Sequence, residues 1–238
     1  LGIQHAHEAE RIRAVVSVSR FMLGTRRAQG DFSGARGYVI HEASAFTPSR
    51  REQPGAHLDT APLRFGYLGT LSTNKGLEWL IEQFQRLPFK ATLQIAGRGQ
   101  PSDEKRFRAM VTSPDISFVG FQRPEHFYRQ IDVAIVPSLW NEPFGMVAVE
   151  ACAHSLPVIA SRMGGLTEII QEPLNGLLCS PDDPDSLGLA MLRLHQQPEL
   201  LARLGSQARS SVASLMNLDL MLDQYESIFA QTLQDRST

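Results

Sequence analysis

A chain of 238 residues, 42% of them apolar and 20% charged, can bury a substantial core and is too apolar to remain disordered. The formal net charge of −2 argues against a nucleic-acid binder or a polybasic membrane anchor, and no apolar run approaches the ~20 residues of a membrane span. The two cysteines, Cys152 and Cys179, lack metal-ligand spacing and read as free thiols of a cytoplasmic protein. No signal peptide is evident. The chain opens in mid-pattern at Leu1 without an initiator Met, so a fragment or a processed chain is expected.

In chain order, residues 14–19 (AVVSVS) read as a strand, 21–29 as a short helix ended by Gly30, and 38–40 as a second strand. Residues 50–62, with Pro54, Gly55 and Pro62, read as a linker. From Leu63 the pattern becomes regular. Strands are expected at 63–69, 91–97, 116–120, 133–137, 157–161 and 176–179. Helices are expected at 77–87, 103–111 and 124–130, from Met146, from Leu166, and at 184–196, 199–213 and 218–233. Strands alternating with helices imply an α/β fold, a Rossmann-like parallel sheet with helices on both faces. Ligands of such sheets bind beyond the carboxyl ends of the strands, which Gly69, Gly97, Gly120 and Pro137 mark here.

The most informative stretch is PSLWNEPFGMVAVEACAHSLPVIASRMGGLTE, residues 137–168. Glu142 lies in a loop with Pro143 and Gly145, and Glu150 lies about one turn into the apolar helix that follows, with seven residues between the two acids. Free N–H groups at a helix start favour an anion, here around Phe144, Gly145 and Met146. Carboxylates beside such a site are suited to accepting hydrogen bonds from hydroxyls. A nucleotide sugar offers both: two sets of hydroxyls joined by a diphosphate. Either acid taken alone reads as well as a surface residue. Earlier in the chain, Lys75 stands beside a helix start in the loop Gly69-Thr70-Leu71-Ser72-Thr73-Asn74-Lys75-Gly76, placed to meet a phosphate or to be a solvated loop lysine.

Glu142-Pro143-Phe144-Gly145, Glu150-Ala151, Pro157-Val158 and Gly164-Gly165 resemble, in one register, the donor site of the group 1, retaining glycosyltransferases of the two-domain GT-B type. Gly69, Lys75 and Gly76 are similar to the family's Gly-Arg…Lys-Gly loop. Thr70 stands where the family has Arg, and Ser155 where it usually has Gly. The resemblance implies that this chain is the C-terminal, donor-binding half of a GT-B fold. Residues 1–60 would be a remnant of the N-terminal acceptor domain with its linker, 61–215 the nucleotide-sugar-binding domain, and 216–238 a closing helix. It implies transfer of a sugar from a UDP-, GDP- or ADP-sugar to a hydroxyl of an acceptor glycan or lipid-linked sugar, as in polysaccharide biosynthesis. Neither cofactor nor metal is implied. Glu142 and Lys75 would be catalytic. The donor would be held by Gly69, Thr70, Lys75, Glu142, Phe144, Gly145, Met146 and Glu150, with Glu150 on the ribose and Glu142 on the sugar. With the acceptor domain missing, this chain alone would bind donor without transferring sugar. The full-length enzyme would be cytoplasmic and peripheral at a membrane. The alternatives are a sugar-nucleotide epimerase or phosphorylase on the same site, or a module that binds donor without catalysis, for which Thr70 is the hint.

Lesser candidates are weighed alongside. Arg98 between Gly97 and Gly99 reads either as a cation reaching the same crevice or, slightly preferred, as an exposed loop charge, and His154 as a solvent-facing residue at a helix end. Phe118 is expected in the core, with Phe121 near the base. Gly164-Gly165 suits either a phosphate turn or close strand–helix packing. His5 and His7 are not expected to bind metal.

Overall fold

The computed structural model describes residues 12–44 and 61–234. His5, His7 and most of the expected linker lie outside the described residues. The chain divides into two compact units, residues 1–46 with 214–238, and residues 47–213.

In the first unit, β1 (Ala14–Ser17) pairs in parallel with β2 (Arg36–Val39) through the helix α1 (Arg20–Ala28). Ser19 caps α1 by accepting from the Met22 N–H at 3.1 Å, and Arg26 and Arg27 in the last turn suit the negative end of the helix dipole. The closing helix, Leu218–Gln234, belongs to this unit. Its Gln231 Oε1 accepts from the Tyr38 hydroxyl at 3.4 Å.

The second unit is built on six parallel strands: β3 (Leu63–Leu68), β4 (Ala91–Ala96), β5 (Ile116–Gly120), β6 (Val133–Val136), β7 (Val158–Ser161) and β8 (Gly176–Cys179). Their order is β5-β4-β3-β6-β7-β8. The connecting helices are α2 (Leu77–Gln85), α3 (Pro101–Met110), α4 (Pro124–Phe127), α5 (Met146–Ala153), α6 (Leu166–Ile169), α7 (Ser186–Gln196) and α8 (Pro198–Ser211). The strands are continuous apolar runs because helices cover both faces. Phe65, Leu93, Ile95, Val133, Ile135 and Ile159 are buried in the same core as Leu77, Leu80, Ile81 and Phe84 of α2.

The chain winds outward from β3 through β4 to β5. It then crosses back to lay β6 on the other side of β3 and winds outward again to β8. The β3–β6 seam is thus the point where strand order reverses, the place beyond whose carboxyl ends ligands of such sheets bind. An ion pair between the buried Asp132 and the partly exposed Arg64 pins the opposite end of the seam. Asp132 accepts from Arg64 Nε at 2.9 Å, from Nη2 at 2.8 Å and from the Arg64 backbone N–H at 3.0 Å. The side-chain hydrogen bond to Asp132 raises the Arg64 pKa against the lowering effect of burial, so the fork stays charged.

At the end of α5, Ser155 has φ of 59°. Its N–H donates to the Cys152 carbonyl at 2.8 Å, and the Leu156 N–H donates to that of Ala151 at 3.1 Å, the Schellman pattern that normally selects glycine. The left-handed conformation costs a residue with a Cβ about 1–2 kcal/mol. Ser155→Gly is therefore expected to raise the melting temperature by roughly 2–8 °C. Calorimetry decides: an unchanged transition would mean that the serine hydroxyl offsets the strain.

Candidate functional site

Two loops meet at the switch point. The first leaves β3, passes Gly69 and Thr70, makes a 3-10 turn over Thr73–Lys75 and enters α2. The second leaves β6 at Pro137 and reaches α5 at Met146. They are tied together: the Leu139 N–H donates to the Asn74 carbonyl at 2.8 Å, and Lys75 Nζ donates to Glu142 Oε1 at 2.6 Å. Ser138 Oγ donates to the same oxygen at 2.8 Å, and Ser161 Oγ on β7 donates to the Ser138 carbonyl at 2.5 Å. Glu142 is buried and Lys75 partly exposed, so the pair is shielded on the acid side and open on the cation side. The ring centroid of Trp140, an exposed residue, lies 5.8 Å from Lys75 Nζ.

Other contacts fix the backbone. The buried Tyr67 donates its hydroxyl to the Thr70 carbonyl at 2.6 Å. Burial, then the nearby charge of Glu142, raise the Tyr67 pKa, which keeps it a neutral donor. The Gly165 N–H donates to the Glu142 carbonyl at 2.8 Å. A Cβ at Gly164 would lie 2.3 Å from the Glu142 carbonyl oxygen, and one at Gly165 2.6 Å from Phe144 Cα. Gly164 and Gly165 thus pack closely against the loop that carries Glu142, rather than between a strand and a helix.

The structure thus brings Gly69, Thr70, Lys75 and Glu142 together at the ends of β3 and β6, with Phe144 buried, Gly145 bracing α6 and Met146 opening α5. No side chain caps α5, whose first turn contains no acid. Glu150 follows on α5, half-buried. Burial pushes its carboxyl pKa up, and Glu125 on α4 adds to the shift. Arg98 is exposed, as expected, and its carbonyl accepts from the Leu71 N–H at 3.0 Å. Phe118 packs against the core under the Arg108 guanidinium, and Phe121 is exposed. Among the described residues, no cluster of three His, Cys, Asp or Glu side chains could hold a metal.

His154 requires a correction. It is buried rather than solvent-facing, because its ring packs 5.0 Å from that of Tyr128 and its Nδ1 lies 2.8 Å from the Glu150 carbonyl. Desolvation lowers its pKa despite that bond, which favours the neutral imidazole. Sequence reasoning also missed Ser138, Asn74 and Trp140. The Pro137-Ser138 step at the end of a strand was the available signal for Ser138.

Glu150 yields a pH-dependent expectation. Its folded-state pKa is raised, so its contribution to stability is fully present below the unfolded-state pKa and is lost as pH rises through the folded-state value. Glu150→Gln is therefore expected to melt higher than the native chain at pH 7. The advantage should shrink as pH falls into the carboxylate range, where the native side chain is also neutral. Parallel melts at pH 7 and pH 4 check this; a constant difference would show that charge is not the cause.

A six-stranded parallel sheet in this order is Rossmann-like, and its solved neighbours identify it as the C-terminal domain of the GT-B glycosyltransferase fold. Residues 62–197 match the family Glycosyl transferases group 1, and the chain belongs to it. A mannosylfructose-phosphate synthase of Agrobacterium fabrum is 30% identical over 175 residues, 64% of this chain and 38% of that protein. Sucrose-phosphate synthase from Thermosynechococcus elongatus superposes with a TM-score of 0.80 at 26% identity, covering 95% of this chain and 60% of its own. Anabaena HepE in complex with UDP-glucose superposes with a TM-score of 0.76 at 22% identity, covering 94% and 65%. The chain spans 34–41% of the length of the first curated relatives it matches. No helix among the described residues is long and apolar enough to cross a membrane.

Proposed function

We propose that this chain supplies the donor-binding half of a retaining glycosyltransferase, which transfers a sugar from a nucleotide-diphosphate sugar to an acceptor hydroxyl. The observation that carries the reading is the Lys75–Glu142–Ser138 cluster at the β3–β6 switch point. Without ligand, the lysine and the glutamate neutralise each other. A diphosphate entering the crevice competes for the open side of Lys75, while the acid, gripped through Oε1 by Ser138, accepts from hydroxyls of the sugar. Glu150 on the next helix takes the ribose hydroxyls. The N–H groups around Phe144, Gly145 and Met146, with Lys75, stabilise charge on the departing diphosphate, a preorganised arrangement that lowers such barriers.

Thr70 adds no charge to the crevice, so on this reading leaving-group stabilisation leans on Lys75 and on backbone amides. Neither metal nor cofactor takes part. Because the match covers only part of the relatives' length, donor recognition rather than turnover is the property to measure on this chain. The HepE complex with UDP-glucose makes UDP-sugars the first donors to try. The experiment is a calorimetric titration with UDP, GDP, ADP and their hexose conjugates. The reading expects one nucleoside diphosphate to bind and its conjugate to bind more tightly; binding of none would refute it.

A further inference from the structure

We infer that Trp140 is the platform on which the hexose ring of the donor rests, an inference that depends on the donor-binding reading of the same crevice. The chain has two tryptophans, and they are placed differently. Trp79 is buried and its indole N–H donates to the Pro184 carbonyl at 2.7 Å. Trp140 is 44% exposed, two residues before Glu142. Its backbone is held on both sides: the preceding Leu139 N–H is bonded to Asn74, while Glu142 is bonded through its side chain to Ser138 and Lys75 and through its carbonyl to Gly165. The indole is therefore presented on a fixed loop.

Three side chains converge there: a cation, a carboxylate and an aromatic face, with Lys75 Nζ 2.6 Å from Glu142 and 5.8 Å from the ring centroid. A diphosphate would use the lysine but not the ring. A nucleobase would use the ring, but the ribose hydroxyls that come with it are already taken by Glu150. A pyranose uses both, because its hydroxyls donate to the carboxylate while the C–H groups on one face lie against the indole. That contact buries apolar surface without stranding a polar group. The sugar is assigned to the donor rather than to an acceptor because Glu142, the hydroxyl acceptor beside the ring, sits with Lys75, the phosphate partner.

The test uses the whole chain with the nucleoside diphosphate that binds it, UDP, GDP or ADP, and the hexose conjugates of that diphosphate. In a Trp79→Phe background, emission from Trp140 is expected to change more with a conjugate than with the free diphosphate. By calorimetry on the single variants, which needs no change at Trp79, Trp140→Ala is expected to lower the preference for conjugate over free diphosphate about fivefold. Trp140→Phe should keep most of that preference. An undiminished preference in Trp140→Ala, or an emission change that is the same with and without the hexose, overturns the inference while leaving the donor-binding reading intact. Failure of every ligand to bind the unaltered chain sinks that reading and the platform together.

Discussion

Gly76→Ala is expected to be among the most damaging single-methyl changes in the second unit. Gly76 has φ of 72°, where a Cβ costs about 1–2 kcal/mol. That Cβ would also stand 1.8 Å from the Pro137 carbonyl oxygen, a distance no side-chain rotation can relieve. The backbone must move, and the two segments forced apart are those that carry Lys75 and Glu142. A loss of about 3 kcal/mol, or a melting point lower by roughly 6–12 °C, should therefore accompany weaker donor binding. Gly24→Ala is the control: among the described residues, nothing beyond its own helix backbone and chain neighbours lies within 4 Å of its Cβ, and alanine is the better helix former, so that variant should melt at or above the native temperature. If the Gly76→Ala variant melted within a degree of the native chain, the close apposition of the two loops would be wrong.

Much of the second unit was legible because burial on both faces leaves a strong trace. LRFGYL, ATLQIA and VAIV are near-continuous apolar runs, and each falls within a residue or two of the strand observed. Left-handed geometry at Ser155 was readable from its place after an apolar helix. The short helices were overestimated: 124–130 shrinks to Pro124–Phe127, since one turn of pattern carries no stop signal of its own.

The loop glutamate and the loop lysine could each be picked out from their settings, but not their 2.6 Å contact. Lys75 and Glu142 are 67 residues apart, and what joins them is that β6 returns to lie beside β3, a property of strand order rather than of either loop. Ser138 is only four residues from Glu142, but its bond depends on the loop turning the carboxylate back onto it, which no periodic pattern announces. His154 was misjudged because burial at a helix end is decided by what packs over it, here Tyr128, and not by the helix's own period.

The central claim is a division of labour, with Glu150 on the ribose and Glu142 on the sugar beside a lysine that meets the diphosphate. Glu150→Ala removes charge-assisted hydrogen bonds worth about 1.5–3 kcal/mol, so it should weaken the nucleoside diphosphate and its hexose conjugate alike, by roughly 10- to 150-fold. Glu142→Ala should act differently. It frees Lys75 from its ion pair, so the free diphosphate should bind as well as before or more tightly, while the added affinity of the conjugate is lost. Calorimetric titration of the native chain and both variants with both ligands measures this directly. The account predicts a uniform loss for Glu150→Ala and a loss confined to the conjugate for Glu142→Ala; a Glu142→Ala variant that loses the free diphosphate as severely as Glu150→Ala would contradict it.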